Sequence, residues 1–282
     1  MLRRAGLIVS VLGFFAALIV FGIRTFTSSE YPYPSEAYYL NDFADVFSPT
    51  FENFYVREAE NLYEVSKDIE STGGSQIVFA TFLLEEGQTP ADYNKTTIFR
   101  EWKIGKNNMG LLGLFFFEKV NDNEVDNYDL IEFQIEATDK MMIYLTISKQ
   151  LDIYNRTLGH YLPSDTLTHQ YDYNLELGSA SMMNEFLNVL YGEVYAMPNN
   201  VLPQEEFDAA FDEYWWEDSS PSIYQTETSL NMFDYFFSPY GTVYDRIIFG
   251  SLSAILIVAT GGAGIFKAKG GFSGGAGLFR HR

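Results

Sequence analysis

Asp42, Asn108 and Asp139 are the residues whose types and places could do chemistry in this chain. Hard divalent cations are bound by oxygens of Asp, Glu, Asn and backbone carbonyls, so three such side chains gathered at one end of a sheet would make a calcium or magnesium site. Asp42 stands just before an expected helix and Asn108 just before an expected buried strand, both near one end of the expected sheet. Asp139 falls in the loop after the third strand. Each also has a plainer reading: Asp42 as a loop or turn residue, Asn108 as a turn former, Asp139 as a helix or turn cap. Lys103 and Lys106 are the basic residues near Asn108, which is little for a phosphate-binding cluster.

Other chemistries lack their residues. Asp122-x-Glu124-x-Asp126 has the spacing of a calcium loop, but Asn127 stands where such a loop needs Gly and Phe133 where it needs Glu, so a solvated hairpin turn is expected. His160, His169 and His281 occur without H-E-x-x-H, and a zinc hydrolase site has no ligands to draw on. No G-x-S-x-G elbow stands between an expected strand and helix, and there is no G-x-x-x-x-G-K-[ST] loop. Cysteine is absent, which excludes disulfides, thiolate ligands and cysteine nucleophiles together. That absence suits a bacterial surface whose proteins do without disulfides, where the sequons at Asn94 and Asn155 carry no meaning.

The elements that must position these residues are readable from periodicity. Ser48 as N-cap and Pro49 at the first helical position open a helix, with Phe51, Phe54, Tyr55, Ala59, Leu62, Val65 and Ile69 recurring at three-to-four spacing until Gly73-Gly74. Residues 76–83 and 111–117 are apolar on both faces, as strands in a covered sheet are. Between them a capping-box-like Thr89-Pro90-Ala91-Asp92 starts a second helix reaching Trp102. Ile131, Phe133 and Ile135 alternate with Glu132, Gln134 and Glu136, which predicts a strand with one wet face, antiparallel to its predecessor. Leu151, Tyr154, Leu158 and Tyr161 predict a third helix, and residues 175–194 a fourth. The order implies an α/β domain over residues 38–196, a mixed β-sheet flanked by helices in two or three layers. Residues 197–245, acidic and aromatic, read as a juxtamembrane stalk with a short helix near 204–216. Its rings are expected either in the headgroup zone or packed on the domain.

Charge and hydropathy place this domain. Residues 5–23 and 247–266 are uncharged apolar runs near the roughly 20 residues that cross a bilayer. Residues 25–245 hold all 38 Asp and Glu but only 10 of the 18 Lys and Arg, a net charge of −28. Arg3 and Arg4 at one end and Lys267 and Lys269 at the other argue for two cytoplasmic termini, against the single Arg24. The expectation is a cell-membrane protein with its main domain extracytoplasmic: an anchor or cleaved signal peptide at 1–24, a transmembrane helix at 246–267 and a glycine-rich basic tail at 268–282. The acidic balance speaks against nucleic acid and favours divalent cations or basic partners.

Several segments resemble the TPM-domain family. Asn41-Asp42-Phe43-Ala44 followed by Phe47-Ser48-Pro49 is similar to its N-D-x-A-x-x-L-S segment. Thr72-Gly73 before Gln76-Ile77-Val78 resembles its T-G-x-Q-I-x-V strand start, and Trp102-Lys103-Ile104-Gly105 with Asn108 and Gly110 its W-x-I-G…N-G-x-L. Tyr171-Asp172-Tyr173 with Leu177-Gly178 is similar to its D-Y-x-x-G-L. One departure stands out: Ile135-Glu136-Ala137-Thr138-Asp139-Lys140 replaces the family's G-Y-G-L-E-G, the loop most tied to its proposed cation and phosphate chemistry. The resemblance implies an exterior domain followed by a span and a glycine-rich tail. It also implies one of two roles: an accessory or quality-control factor for membrane-protein partners, which the altered loop favours, or a divalent-cation-dependent phosphatase. Stacking on cell-wall sugars has only the aromatic content, 17% of residues, behind it.

Overall fold

The computed structural model describes residues 30–105, 107–122, 125–163, 166–198, 201–217, 220–231, 234–235 and 238. The apolar runs at 5–23 and 247–266 and the tail lie outside the described residues, and no helix among the described residues is long and apolar enough to cross a membrane.

Two apolar strands, β2 (Gln76–Leu84) and β3 (Gly110–Asp122), form the middle of a five-stranded sheet. The short β1 (Leu40–Asp42) pairs parallel with β2, and β2 pairs parallel with β3. β4 (Val125–Ala137) returns antiparallel in a hairpin whose register runs out to Asp122 opposite Val125, where the calcium-loop spacing had been noted. The last strand, β5 (Leu167–His169), is antiparallel to β4. The mixed α/β sheet is the expected one, with a three-residue strand added at each edge. A bulge between Phe116 and Phe117 leaves Ile131 outside the register. The expected alternation therefore starts only at Glu132, and Ile131 is 40% exposed.

Helices cover both faces. α1 (Pro49–Ser66) lies on one, where Phe79, Phe115 and Phe133 meet Tyr55 and Phe47. On the other, Phe82 and Phe116 stack beside Tyr93 and Phe43, ahead of α2 (Lys95–Glu101). Gly113 sits where two rings converge: a Cβ there would lie 2.8 Å from Phe79 Cδ1 and 3.0 Å from Phe133 Cε2.

Two expected helices are divided. The capping box at Thr89 and Asp92 closes only a single 3₁₀ turn, and Asn94 then caps α2 separately through Thr97 N–H at 3.0 Å. The third helix is two pieces, α4 (Ile147–Arg156) and α5 (Leu158–Tyr161), preceded by a single turn, α3 (Met141–Tyr144). α4 buries Gln150 and Ile153, so Leu151, expected inside, is 58% exposed. α6 (Tyr173–Val189) runs through the core and ends in a π turn over Leu190–Val194.

The compact unit spans Tyr31–Tyr240, wider than 38–196. Tyr38 and Tyr39, in the lead over residues 31–39 that precedes β1, are buried, and α7 (Gln204–Glu217) belongs to the core rather than to a juxtamembrane stalk. Phe207 and Phe211, one turn apart, pack their rings on Phe54, while Asp208 accepts from the Tyr161 hydroxyl at 2.6 Å and the Ser181 hydroxyl at 2.7 Å. The two ends of the unit meet. The Tyr33 and Tyr235 rings lie 5.3 Å apart, and Leu230 N–H donates to the Pro34 carbonyl at 3.0 Å.

Ser48 caps α1, its hydroxyl accepting from Phe51 N–H at 3.3 Å and donating to Glu176 Oε2 at 2.8 Å. Loss of an N-cap hydroxyl costs about 1–2 kcal/mol. Ser48→Ala is therefore expected to lower Tm by about 4 °C in a calorimetric scan, and Ser48→Thr by little.

Candidate functional site

The three expected ligands do not meet. Asp42 pairs with Thr81 and Gly110 with Gln76, five residues earlier on β2. At about 3.3 Å per residue that separates the two ends by roughly 17 Å. Asn108, two residues before Gly110, and Asp139, just past the end of β4, lie at the β2 Gln76 end, while Asp42 lies at the carboxyl end of β1. Asn108 is exposed in the left-handed region with φ 64°, its N–H bonded to the Gly105 carbonyl at 2.6 Å, which is the turn-former reading. Asp139 is exposed in the turn before α3. Nor is Asp42 a loop residue: it ends a strand and is fully buried. Among the described residues no group of three His, Asp or Glu is placed to hold a metal ion. These residues do not fit a shared calcium or magnesium site.

What gathers at the carboxyl end of β1 is a set of buried carboxyls. Asp42 Oδ1 accepts from the Thr81 hydroxyl at 2.6 Å and Oδ2 from Phe47 N–H at 2.8 Å. Burial pushes its carboxyl up to about 7, against the lowering effect of those donors and of Val46 N–H. Glu176, reaching in from α6, accepts from Ser48 N–H at 2.5 Å, the Ser48 hydroxyl and Trp215 Nε1–H, and burial likewise pushes it up to about 7. Glu52 of α1 is buried too and held above the usual range, mainly by burial, while it accepts from the Thr226 hydroxyl. Asp42 and Glu176 can exchange protons near neutrality. Their oxygens, however, face backbone and side-chain donors that fix the start of α1, so the arrangement is one of support.

The segments that carry the family resemblance have structural duties here. Gln76 Oε1 accepts from Gly105 N–H at 2.7 Å, and Gly105, at φ 71°, packs against the Gly110 backbone so closely that a Cβ would lie 2.6 Å from Gly110 N. Asp172 caps α6 through Asn174 N–H at 2.9 Å. Gly178 lets α6 approach Leu158, where a Cβ would meet Leu158 Cα at 3.0 Å. The chain matches no protein-family model, no curated protein and no solved structure.

Periodicity misses the surface feature with the plainest capacity for binding. Ile143 of α3, with Ile147 and Leu151 of α4, are 70%, 73% and 58% exposed, and Met142 adjoins them at 37%. Their four-residue spacing was the available signal, but an apolar stripe normally marks a buried face.

Proposed function

We propose that the chain is a membrane-anchored protein of the TPM type whose exterior domain is an accessory or quality-control factor for membrane-protein partners. The observation that carries the reading is the aliphatic stripe Ile143, Ile147 and Leu151, a surface that contributes nothing to the core and is suited to docking. The meeting of the domain's two ends at Tyr33 and Tyr235 supports tethering from both sides, since each end leads to an apolar run. The alternative, a divalent-cation-dependent phosphatase, rests on the resemblance alone.

A photo-crosslinking residue at position 147 of the full chain in native membranes is expected to give a discrete adduct with a membrane protein, and one at Glu64 none. Ile147→Glu is expected to abolish partner recovery while changing stability by no more than about 0.5 kcal/mol, because the site is exposed. Chelator-sensitive hydrolysis of a phosphomonoester, lost in Asp42→Asn, overturns the accessory reading.

A further inference from the structure

The free edge of β1 is covered by the chain's own later segment. β1 pairs with β2 on one side. Along the other run residues 221–230. Asp42 N–H donates to the Thr226 carbonyl at 3.0 Å and Ala37 N–H to the Gln225 carbonyl at 3.3 Å, and Ser35 bridges Ser229 in antiparallel fashion. The segment is also tied to α1, where Asn53 receives Ile223 N–H at 3.0 Å and donates to the Pro221 carbonyl at 3.2 Å.

These ties are polar and shallow. Ile223, the most apolar side chain of 221–226, is 78% exposed, and Thr226 is the one residue of 221–230 that is buried. Its hydroxyl donates to Glu52. The Glu52 carboxyl is faced by Glu227 from the segment itself and Asp45 from the turn after β1, and it in turn acts on Asp42 of β1. On the far side of Asp45 stand the neutral Gln170 amide at 2.7 Å and Tyr171 hydroxyl at 3.3 Å. Further along α1, Glu60 receives the Tyr224 hydroxyl at 3.3 Å, and Arg57, which also acts on Tyr224, is paired with Glu58 at 3.5 Å. The anchor thus sits where acids come together from three elements.

We infer that residues 221–230 are a pH-operated strap over the β1 edge, closed while Glu52 is protonated and loosened when Glu52 is charged. Opening leaves the N–H groups of Ala37 and Asp42 unpaired at a sheet edge, the geometry on which an extended peptide adds as a strand. Burial, with Glu227 and Asp45, holds the Glu52 carboxyl above its ordinary range, so the change falls on the neutral side of that range.

Hydrogen exchange of the full chain in detergent micelles, corrected for intrinsic rates, tests this. Protection of peptides covering 221–230 and 37–42 is expected to fall several-fold between pH 5.5 and pH 8. β3 peptides keep theirs. Glu52→Gln is expected to hold the strap closed at both pH values, and Thr226→Val to loosen it at both. Equal protection across the range, the same fall in Glu52→Gln, or a parallel loss in β3 overturns the inference.

Discussion

Asp42→Asn is expected to raise Tm by roughly 5–10 °C at pH 8, by less than half as much at pH 5, and hardly at all below about pH 4. The carboxyl is fully buried and pushed from an ordinary 3.8 up to about 7, which corresponds to at most about 4 kcal/mol of penalty for its charged form. An asparagine accepts from Phe47 N–H and donates to the Thr81 oxygen, as the protonated acid does, and carries no charge at any pH. Because the folded-state value lies above the unfolded one, the folded domain holds protons that the unfolded chain releases. The stability these carboxyls contribute is therefore complete below about pH 4, falls as pH rises toward 7, and stays low above it. Glu176, also pushed up to about 7, adds to the same slope. Wild type should melt higher at pH 5 than at pH 8, and Asp42→Asn with Glu176→Gln should flatten the profile. Asp42→Ala behaves differently: it leaves Phe47 N–H without its acceptor and Thr81 without its partner, a loss of about 1–3 kcal/mol. A wild-type Tm that rises from pH 5 to pH 8 would falsify this account of the buried carboxyls.

Trp102→Ala should be more damaging still. Trp102 is fully buried where α2 ends, its Nε1–H donates to the Pro32 carbonyl at 2.9 Å, and its ring meets Phe43 edge-on at 6.2 Å. Its carbonyl receives the Tyr38 hydroxyl at 3.2 Å. Removing a buried indole costs about 3–5 kcal/mol, which in a domain of this size lowers Tm by at least 6–10 °C, on the order of 2–4 °C per kcal/mol. Trp102→Phe retains most of the ring volume but leaves the Pro32 carbonyl unpaired, so an intermediate Tm is expected. Because this residue ties the lead to α2, the alanine variant should also expose the lead near Tyr31 and Tyr33 to protease. Equal stability of the alanine and phenylalanine variants would show that the indole hydrogen bond and packing contribute nothing.

The helix and strand elements with a clear period were legible in the sequence because each carries its signal within a few residues. Ser48 and Pro49 announce α1, and the cap is present in the structure. β2 and β3 are apolar on both faces because helices cover both, and the sequence shows that directly. β1 and β5 were hidden, since three residues cannot display an alternation of period two against background. The division of the third helix was hidden for a related reason. Thr157 restarts the backbone between α4 and α5, while the apolar spacing of Leu151, Tyr154, Leu158 and Tyr161 runs on across the break and suggests one continuous helix.

The candidate ligands failed on register. Each of Asp42, Asn108 and Asp139 lies beside a strand end, but which end depends on whether neighbouring strands run parallel and how far each is shifted, and those are pairings between distant residues. Glu176, which supports the helix start beside Asp42, is 128 residues away from Ser48 and reads in the sequence as one acid among 38.

By itself the sequence determined the acidic interval between two uncharged apolar runs, the absence of cysteine chemistry, and the mixed α/β character of the domain, because composition and short periods are local properties of the chain. Only the tertiary structure decided that α7 and the 221–230 segment close onto the domain, that Asp42, Glu52 and Glu176 are buried, with Asp42 and Glu176 protonatable near neutrality, and that the α3–α4 stripe faces solvent. Burial is a property of what a residue's distant neighbours leave uncovered. A carboxyl's affinity for its proton, or an isoleucine's freedom to bind a partner, follows from that and not from the residues on either side.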